Sequence, residues 1–212
     1  MSEPTDLRTR KRLAMRRTIS QAADRLFRDK GFDTVTVDEI AAAADVGRMT
    51  VFNYFPRKED MFFDRDEEGR ALIRDALRLR DPEISPIETL RLMAHRLVAE
   101  AAPFLQFSAN SDDFVRTVEQ SHTLKARARE IRDELADVTA VALAESVGRS
   151  FEDAEARLAA GLVLAAWTAA FIEGHRVYRK TRDAPAATSV FLGLMDRGSR
   201  GALAALADTP YA

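Results

Sequence analysis

Thr36-Val37-Asp38-Glu39-Ile40-Ala41-Ala42-Ala43-Ala44-Asp45-Val46-Gly47-Arg48-Met49-Thr50-Val51-Phe52-Asn53-Tyr54-Phe55 encodes two short helices joined by a tight turn. Thr36 followed three residues later by Glu39 is a capping box: each side chain satisfies a backbone N–H group that the first turn of a helix leaves free. Val35 and Ile40 bracket it as a hydrophobic staple. The helix ends near Ala44, because Asp45-Val46-Gly47 reads as a turn. A second helix runs from Arg48 to Tyr54, halted by Pro56, which disfavours a helical Phe55. Ile40, Ala41, Ala44, Val46, Val51 and Phe55 supply the common core of the pair. The outward face of the second helix is left to Arg48, Met49, Thr50, Asn53 and Tyr54.

An outward face of this composition suits a nucleic-acid groove. A helix fits the DNA major groove, where Arg pairs with guanine and Asn with adenine through two hydrogen bonds each. Hydroxyls, lysines and the free N–H groups of a helix N-terminus suit phosphate. The charge distribution agrees. The formal net charge is −2, but residues 1–58 carry 12 Lys/Arg against 8 Asp/Glu and the remaining 154 carry 20 against 26. A basic head on an acidic body is the asymmetry expected when only the head meets a polyanion. Arg8, Arg10, Lys11, Arg12, Arg16 and Arg17 add a basic run without an acid. It is either a solvated face or an arm reaching phosphate or the minor groove.

The rest of the chain also reads as helix, giving an all-α fold class. Met15, Ile19, Ala22, Ala23, Leu26 and Phe27 mark one face of a first helix over Leu13–Lys30, stopped by Gly31. A fourth helix is predicted from Lys58 to about Arg80, where Asp81-Pro82 breaks it. Others follow from Pro86 to about Ala101, from Phe114 to Gln120 after a polar loop at 108–113, and from Leu124 to Val147. A helix from Glu152 to about Lys180 is almost wholly apolar in its middle, and after a linker at Arg182–Pro185 a last helix covers Ala187 to about Leu206. This organisation divides into a head, 1–58, with a basic N-terminal arm and the helix-turn-helix, and a helical body, 59–212.

Several classes of function are set aside by what the residues lack. There is no Cys, so neither a disulfide framework nor a thiolate metal site is available. His95, His122 and His175 lie far apart and lack metal-ligand spacing, so no metal or cofactor is expected. No nucleophile–base pair or phosphate loop stands out; Arg197-Gly198-Ser199-Arg200-Gly201 is a glycine pair inside an apolar-periodic helix. No catalytic residue is expected, which leaves a helical enzyme the weakest rival reading. The N-terminus has no apolar signal region, and the Ala-rich stretch around Leu158–Ile172 reads as a buried helix rather than a membrane span, so a cytoplasmic protein with no membrane partner is expected.

The run Ala44-Asp-Val-Gly-Arg-Met-Thr-Val-Phe-Asn-Tyr-Phe-Pro-Arg-Lys-Glu-Asp-Met-Phe62 resembles the signature of the tetracycline-repressor (TetR/AcrR) family of transcriptional regulators. Leu26-Phe27-Arg-Asp-Lys-Gly31-Phe32 and Thr34-Val-Thr-Val-Asp-Glu-Ile40 extend the resemblance upstream, so it covers about residues 13–62. It implies that Thr36 and the helix start at Val37 approach phosphate, that Arg48, Met49, Thr50 and Asn53 face bases, and that Tyr54 and Lys58 meet the backbone of operator DNA. Three positions depart from the pattern. Gly47 stands where Ser or Thr usually caps, Phe52 where Tyr is usual, and Arg57 where a capping Ser is common.

The resemblance also implies a use for the body: an effector pocket, and a homodimer interface made by the last two helices. The pocket would be lined by Met93, Leu97, Phe104, Phe107, Phe114, Val118, Trp167 and Phe171, with His175 or Gln120 as a polar contact, and would take a small, apolar effector. The expected function is a sequence-specific repressor released from DNA by that effector. The alternative is a dimeric DNA-binding protein with no effector, in which the body serves dimerisation alone.

Overall fold

The computed structural model describes residues 4–212, with side chains from Leu7 onward. Among the described residues there are ten α-helices, one 3₁₀ turn and no strand. They form two compact units. One comprises the described residues up to Asp66 with Glu119–Arg127; the other comprises Glu67–Val118 and Ala128–Ala212.

The first unit is built from α1 (Pro4–Lys30), α2 (Val37–Ala43), α3 (Arg48–Tyr54) and α4 (Lys58–Phe62), with the corner at residues 119–127. Helix α1 begins nine residues earlier than the apolar periodicity suggests, so the basic run is helical and not an extended arm. The physical reason is local: Pro is tolerated at a first helical position, and no Gly or Pro interrupts the chain before Gly31. Gly31 closes the helix at φ +84, the left-handed conformation that glycine adopts without strain. Ile19, Ala22, Ala23 and Phe27 of α1 are buried, as are Phe32, Ile40, Val51, Phe55 and Met61, and α1 packs against α2 and α4.

The single helix predicted over 58–80 is two helices, α4 and α5 (Asp66–Arg78), with Phe63 out of helical geometry between them at φ −99, ψ 39. Tertiary bonds explain the break. The Asp64 carboxylate accepts from the Ser20 hydroxyl, and its carbonyl accepts from Arg16 at 3.4 Å. Both donors lie on α1 and hold Asp64 out of the helical ladder.

The second unit contains α5 from Glu67, α6 (Pro86–Ala99), a 3₁₀ turn (Pro103–Leu105), most of α7 (Ala109–Gln120) and α8 (His122–Ser146), α9 (Ala154–Thr181) and α10 (Ala184–Ala205). Of the polar stretch at 108–113, expected as a loop, residues 109–113 open α7. Ser108 and Ser111 exchange side-chain to backbone hydrogen bonds at 2.9 and 3.3 Å, a reciprocal cap that makes the polar residues helix-starting rather than helix-avoiding. The expected linker at Arg182–Pro185 is likewise a helix start. Asp183 caps α10 through the N–H of Ala186 at 2.9 Å, and Pro185 sits in the first turn, where its missing N–H costs nothing.

Helices α9 and α10 pack along each other. At Gly198 a Cβ would lie 2.2 Å from the Ala166 Cβ, so the two backbones approach too closely for any side chain. Phe191 stands edge-on to Trp167, with centroids 5.4 Å apart, and His175 lies between Phe107 and Phe171 at 5.0 and 4.6 Å. Helix α6 is tied to α10 by a polar cluster: Arg91 bonds Glu88 at 2.6 Å and Asp196 at 2.8 Å, and His95 meets the same Asp196 oxygen at 2.7 Å. The bond to His95, helped by Arg91, holds the Asp196 carboxyl below its ordinary range. The C-terminus is docked as well: Tyr211 is fully buried and its carbonyl accepts from the N–H of Ile87 at 3.2 Å, satisfying a free donor at the start of α6.

Helix α9 is long and apolar enough to cross a membrane by length and composition, but Ala156, Ala159, Ala160, Val163, Ala170, Gly174 and His175 are buried against its neighbours. It is a core helix. One further face of it stays exposed: Leu158, Gly161, Ala165, Ala169 and Ile172, spaced at three and four residues, with Leu158 and Ile172 each half exposed.

Candidate nucleic-acid interface

The helix-turn-helix is held by local chemistry first. The Thr36 hydroxyl accepts from the N–H of Glu39 at 3.2 Å, and Glu39 returns a bond to the N–H of Thr36 at 2.9 Å, completing the capping box. Lys30 adds a contact to the same carboxylate at 2.6 Å. The hydrogen bond from Lys30, followed by those from the Thr36 backbone and hydroxyl, pushes the Glu39 pKa from its ordinary 4.5 down to about 2. A depressed carboxylate contributes stability that is fully present above its unfolded-state pKa and is lost as pH falls through the folded value. The stability gap between wild type and Glu39→Gln is therefore expected to be largest above about pH 4.5 and to close toward about pH 2. Urea melts at pH 6 and pH 3 check this, and a gap that does not change between them rules out the proposed cap energetics.

The turn between α2 and α3 places Asp45 at φ +54, which Asp tolerates better than most residues. Gly47 is the N-cap of α3 and offers no side-chain bond, so the first N–H groups of α3 are not satisfied by a side-chain cap. Beyond the turn Val51 and Phe55 are fully buried, and the opposite row of α3 faces solvent. Arg48, Met49 and Asn53 are exposed, with Met49 71% exposed, while Thr50, Phe52 and Tyr54 are half-buried. Thr36 is exposed at the start of α2, and Val37 is half-buried beside it.

Two cations from the sequence reading, Lys58 and Arg16, are bonded to backbone carbonyls. Lys58 donates to the carbonyls of Phe32 and Val35 at 2.8 and 2.9 Å and lies 4.3 Å from the Phe32 ring centroid. It therefore ties the start of α4 to the loop before α2. Lys58→Met is expected to lower stability by about 1–3 kcal/mol, as for other hydrogen bonds to charged groups, and a melting curve reads this apart from any change in DNA binding. Arg16, read as part of the basic run, donates to the carbonyl of Tyr54 at 3.0 Å and lies over the Phe55 ring at 4.2 Å. It closes the C-terminus of α3, a role that no short-range pattern marks. The remaining cations of the run, Arg8, Arg10, Lys11, Arg12 and Arg17, are exposed.

The corner at residues 119–127 braces the same unit. Arg127 bonds Asp60 at 2.8 Å, while the other Asp60 oxygen accepts from the N–H of Arg57 at 3.1 Å and so caps α4 where the usual serine is missing. Ser121 donates to Asp33 at 2.8 Å.

The residues expected to line a pocket are distributed differently. Met93, Leu97 and Phe107 are buried, Phe104, Val118, Trp167 and Phe171 are half-buried, His175 is buried in the aromatic cluster, and Phe114 and Gln120 are exposed. A cavity of about 370 Å³ opens between α5 and α6, lined by Leu72, Ala76, Leu79, Ile84, Leu92, Met93 and Arg96 among others. It shares only Met93 with the expected set. Sequence periodicity finds which residues are inward, but not where two helices fail to meet.

Residues 19–64 match the family model described as bacterial regulatory proteins, tetR family. Over 81 residues, 38% of this chain, the sequence is 28% identical to an uncharacterized HTH-type transcriptional regulator, YhgD, of Bacillus subtilis (strain 168); the match spans 41% of that protein's length. The fold is similar to that of Thermus thermophilus FadR, a TetR-family transcriptional repressor solved with lauroyl-CoA, with a TM-score of 0.54 and 23% identity over 89% of this chain and 93% of FadR. It is also similar to SmeT, the repressor of the Stenotrophomonas maltophilia multidrug efflux pump SmeDEF, with a TM-score of 0.53 and 20% identity over 90% of this chain and 89% of SmeT. With the capped α2 and the solvent-facing α3, the match over residues 19–64 makes the first unit similar to the DNA-binding head of the tetR family of bacterial regulatory proteins, and the whole fold is similar to solved members of that family.

Proposed function

We propose that the protein is a cytoplasmic homodimeric repressor that binds a palindromic operator through α3 and releases it when a small, largely apolar effector occupies the body. The observation that carries the reading is the outward row of α3. Arg48, Met49 and Asn53 are exposed at the end of a rigidly packed helix pair, where an Arg suits guanine, an Asn suits adenine and an apolar side chain suits the thymine methyl. A 71% exposed methionine serves no core. Exposed cations on the N-terminal half of α1, Thr36 and the N-terminus of α2, Tyr54 and the remaining N–H of Lys58 are suited to phosphate.

The exposed apolar stripe on α9 supports the dimer. Small residues between Leu158 and Ile172 allow a second copy to approach closely, and an isologous pairing provides the two-fold symmetry that a palindrome requires. The effector arm rests on the cavity between α5 and α6, whose volume falls in the range of small-molecule sites and whose lining is mainly apolar. Two solved proteins of this fold hold ligands with a large apolar part, lauroyl-CoA in FadR and triclosan in SmeT. An effector acts here only through unequal affinity for the DNA-competent and DNA-incompetent states.

A binding-site selection on random duplexes tests the DNA reading. A palindrome with half-sites about one helical turn or more apart is expected, and Arg48→Ala should relax preference at one position of each half-site. Recovery of no enriched sequence would leave only a non-specific DNA binder. A thermal-shift screen with apolar compounds, followed by operator release, tests the effector arm, since a ligand of the folded state stabilises it by mass action.

A further inference from the structure

We infer that Asp38 and Phe52 hold Arg48 ready as a reader of guanine, so that an acid on α2 sets the specificity of a base contact made by α3. The inference rests on the DNA-binding reading above and deepens it at one residue.

The Arg48 side chain is more than half exposed, yet its guanidinium is constrained on two sides. Its Nη1 lies 2.7 Å from the Asp38 carboxylate, and its plane centre lies 5.5 Å from the centroid of the Phe52 ring, one turn further along α3. Asp38 is itself 65% exposed, so the pair is a solvent-facing contact of the kind that contributes little to folding. The neighbouring acid, Glu39, carries the capping box, and Asp38 takes no part in it. Asp38 is therefore spared from holding the fold together.

An acid on a face that approaches phosphates opposes general attraction to DNA. Its physical use lies in the arginine. A guanidinium has five N–H donors in one plane, and a carboxylate on Nη1 leaves the edge formed by Nε and Nη2 free to meet guanine O6 and N7 together. An unconstrained arginine also reaches phosphates and other base edges, and it loses more rotational freedom on binding than one already placed. The Phe52 ring gives the plane an apolar floor.

The two effects of Asp38 carry opposite signs, which makes them separable. Without the carboxylate, affinity for arbitrary duplex should hold or rise, while discrimination at the base pair read by Arg48 should fall. Site selection and titrations use the full-length protein as wild type, Arg48→Ala, Asp38→Ala, Asp38→Glu, Phe52→Ala and Phe52→Tyr, with melting temperatures alongside. In the wild type, one position per half-site should prefer guanine by about tenfold to a hundredfold, the usual range for a two-bond contact. Arg48→Ala should abolish that preference. Asp38→Ala should cut it by about fivefold at the same position, the lower limit of one bidentate contact, with no loss of affinity for a non-cognate duplex. Asp38→Glu should restore part of it, and Phe52→Tyr should retain more of it than Phe52→Ala.

Unchanged preference in Asp38→Ala overturns the inference. So does a loss at a different position, which would make Asp38 a base reader in its own right, or a uniform loss together with a lowered melting temperature, which would make it structural. Each of these leaves an enriched wild-type palindrome intact. A wild-type selection that enriches no palindrome removes the DNA-binding reading itself, and the two failures are thereby distinguished.

Discussion

Replacing Leu158 and Ile172 together by Glu is expected to convert the protein to a monomer and to weaken operator binding by about 10²–10⁴-fold, the gain that joining two binding modules ordinarily supplies. Both side chains are half exposed on the apolar stripe of α9, and neither belongs to the protomer's buried core. In water the substitutions are nearly free; against a second copy they place unpaired carboxylates in an apolar interface, where the desolvation penalty is large. Light scattering at micromolar concentration reads the mass, and titration of a palindrome against a single half-site reads the lost cooperation. The protomer should keep its melting behaviour apart from the concentration dependence that a dimer imposes. A wild-type monomer, or a double variant that remains a dimer, rules out α9 as the interface.

Phe191→Ala should be the most destabilising single truncation in the body, at about 3–5 kcal/mol, because the ring leaves a cavity as well as losing its transfer energy. The Phe191 side chain has no exposed surface and meets Trp167 on α9 and Phe107 after the 3₁₀ turn, with ring centroids 5.4 and 6.1 Å apart. For a chain of this length the loss corresponds to a fall in melting temperature of roughly 10 °C. Phe151→Ala is the control. That ring is 66% exposed, and its removal should stay within about 0.5 kcal/mol. Differential scanning calorimetry distinguishes the two, and equal effects would mean that the aromatic cluster does not hold α9 to α10. The same experiment bears on how an effector acts, since Phe107, Phe171, Trp167, His175 and Phe191 pack together, whereas the α5–α6 cavity lies apart from them.

The sequence by itself determined the all-helical class, the capped helix after Thr36, the turn at Asp45–Gly47 and the extent of α3 from Arg48 to Tyr54. Each depends on interactions between residues a few positions apart, such as Thr36 with Glu39 or Pro56 with Phe55, and such interactions leave their spacing in the chain. It also marked Arg48, Met49 and Asn53 as outward, because their neighbours Val51 and Phe55 had to face inward. Only the tertiary structure decided that the helix after Lys58 breaks at Phe63, that Lys58 and Arg16 are bonded to backbone carbonyls, and that Asp38 reaches Arg48 across the turn. It also opened a cavity between α5 and α6 that the helical period does not mark. Ser20 and Asp64 are 44 positions apart, and Lys58 lies 26 from Phe32. A contact at that distance follows from which helix faces meet, and the helical period carries no record of it.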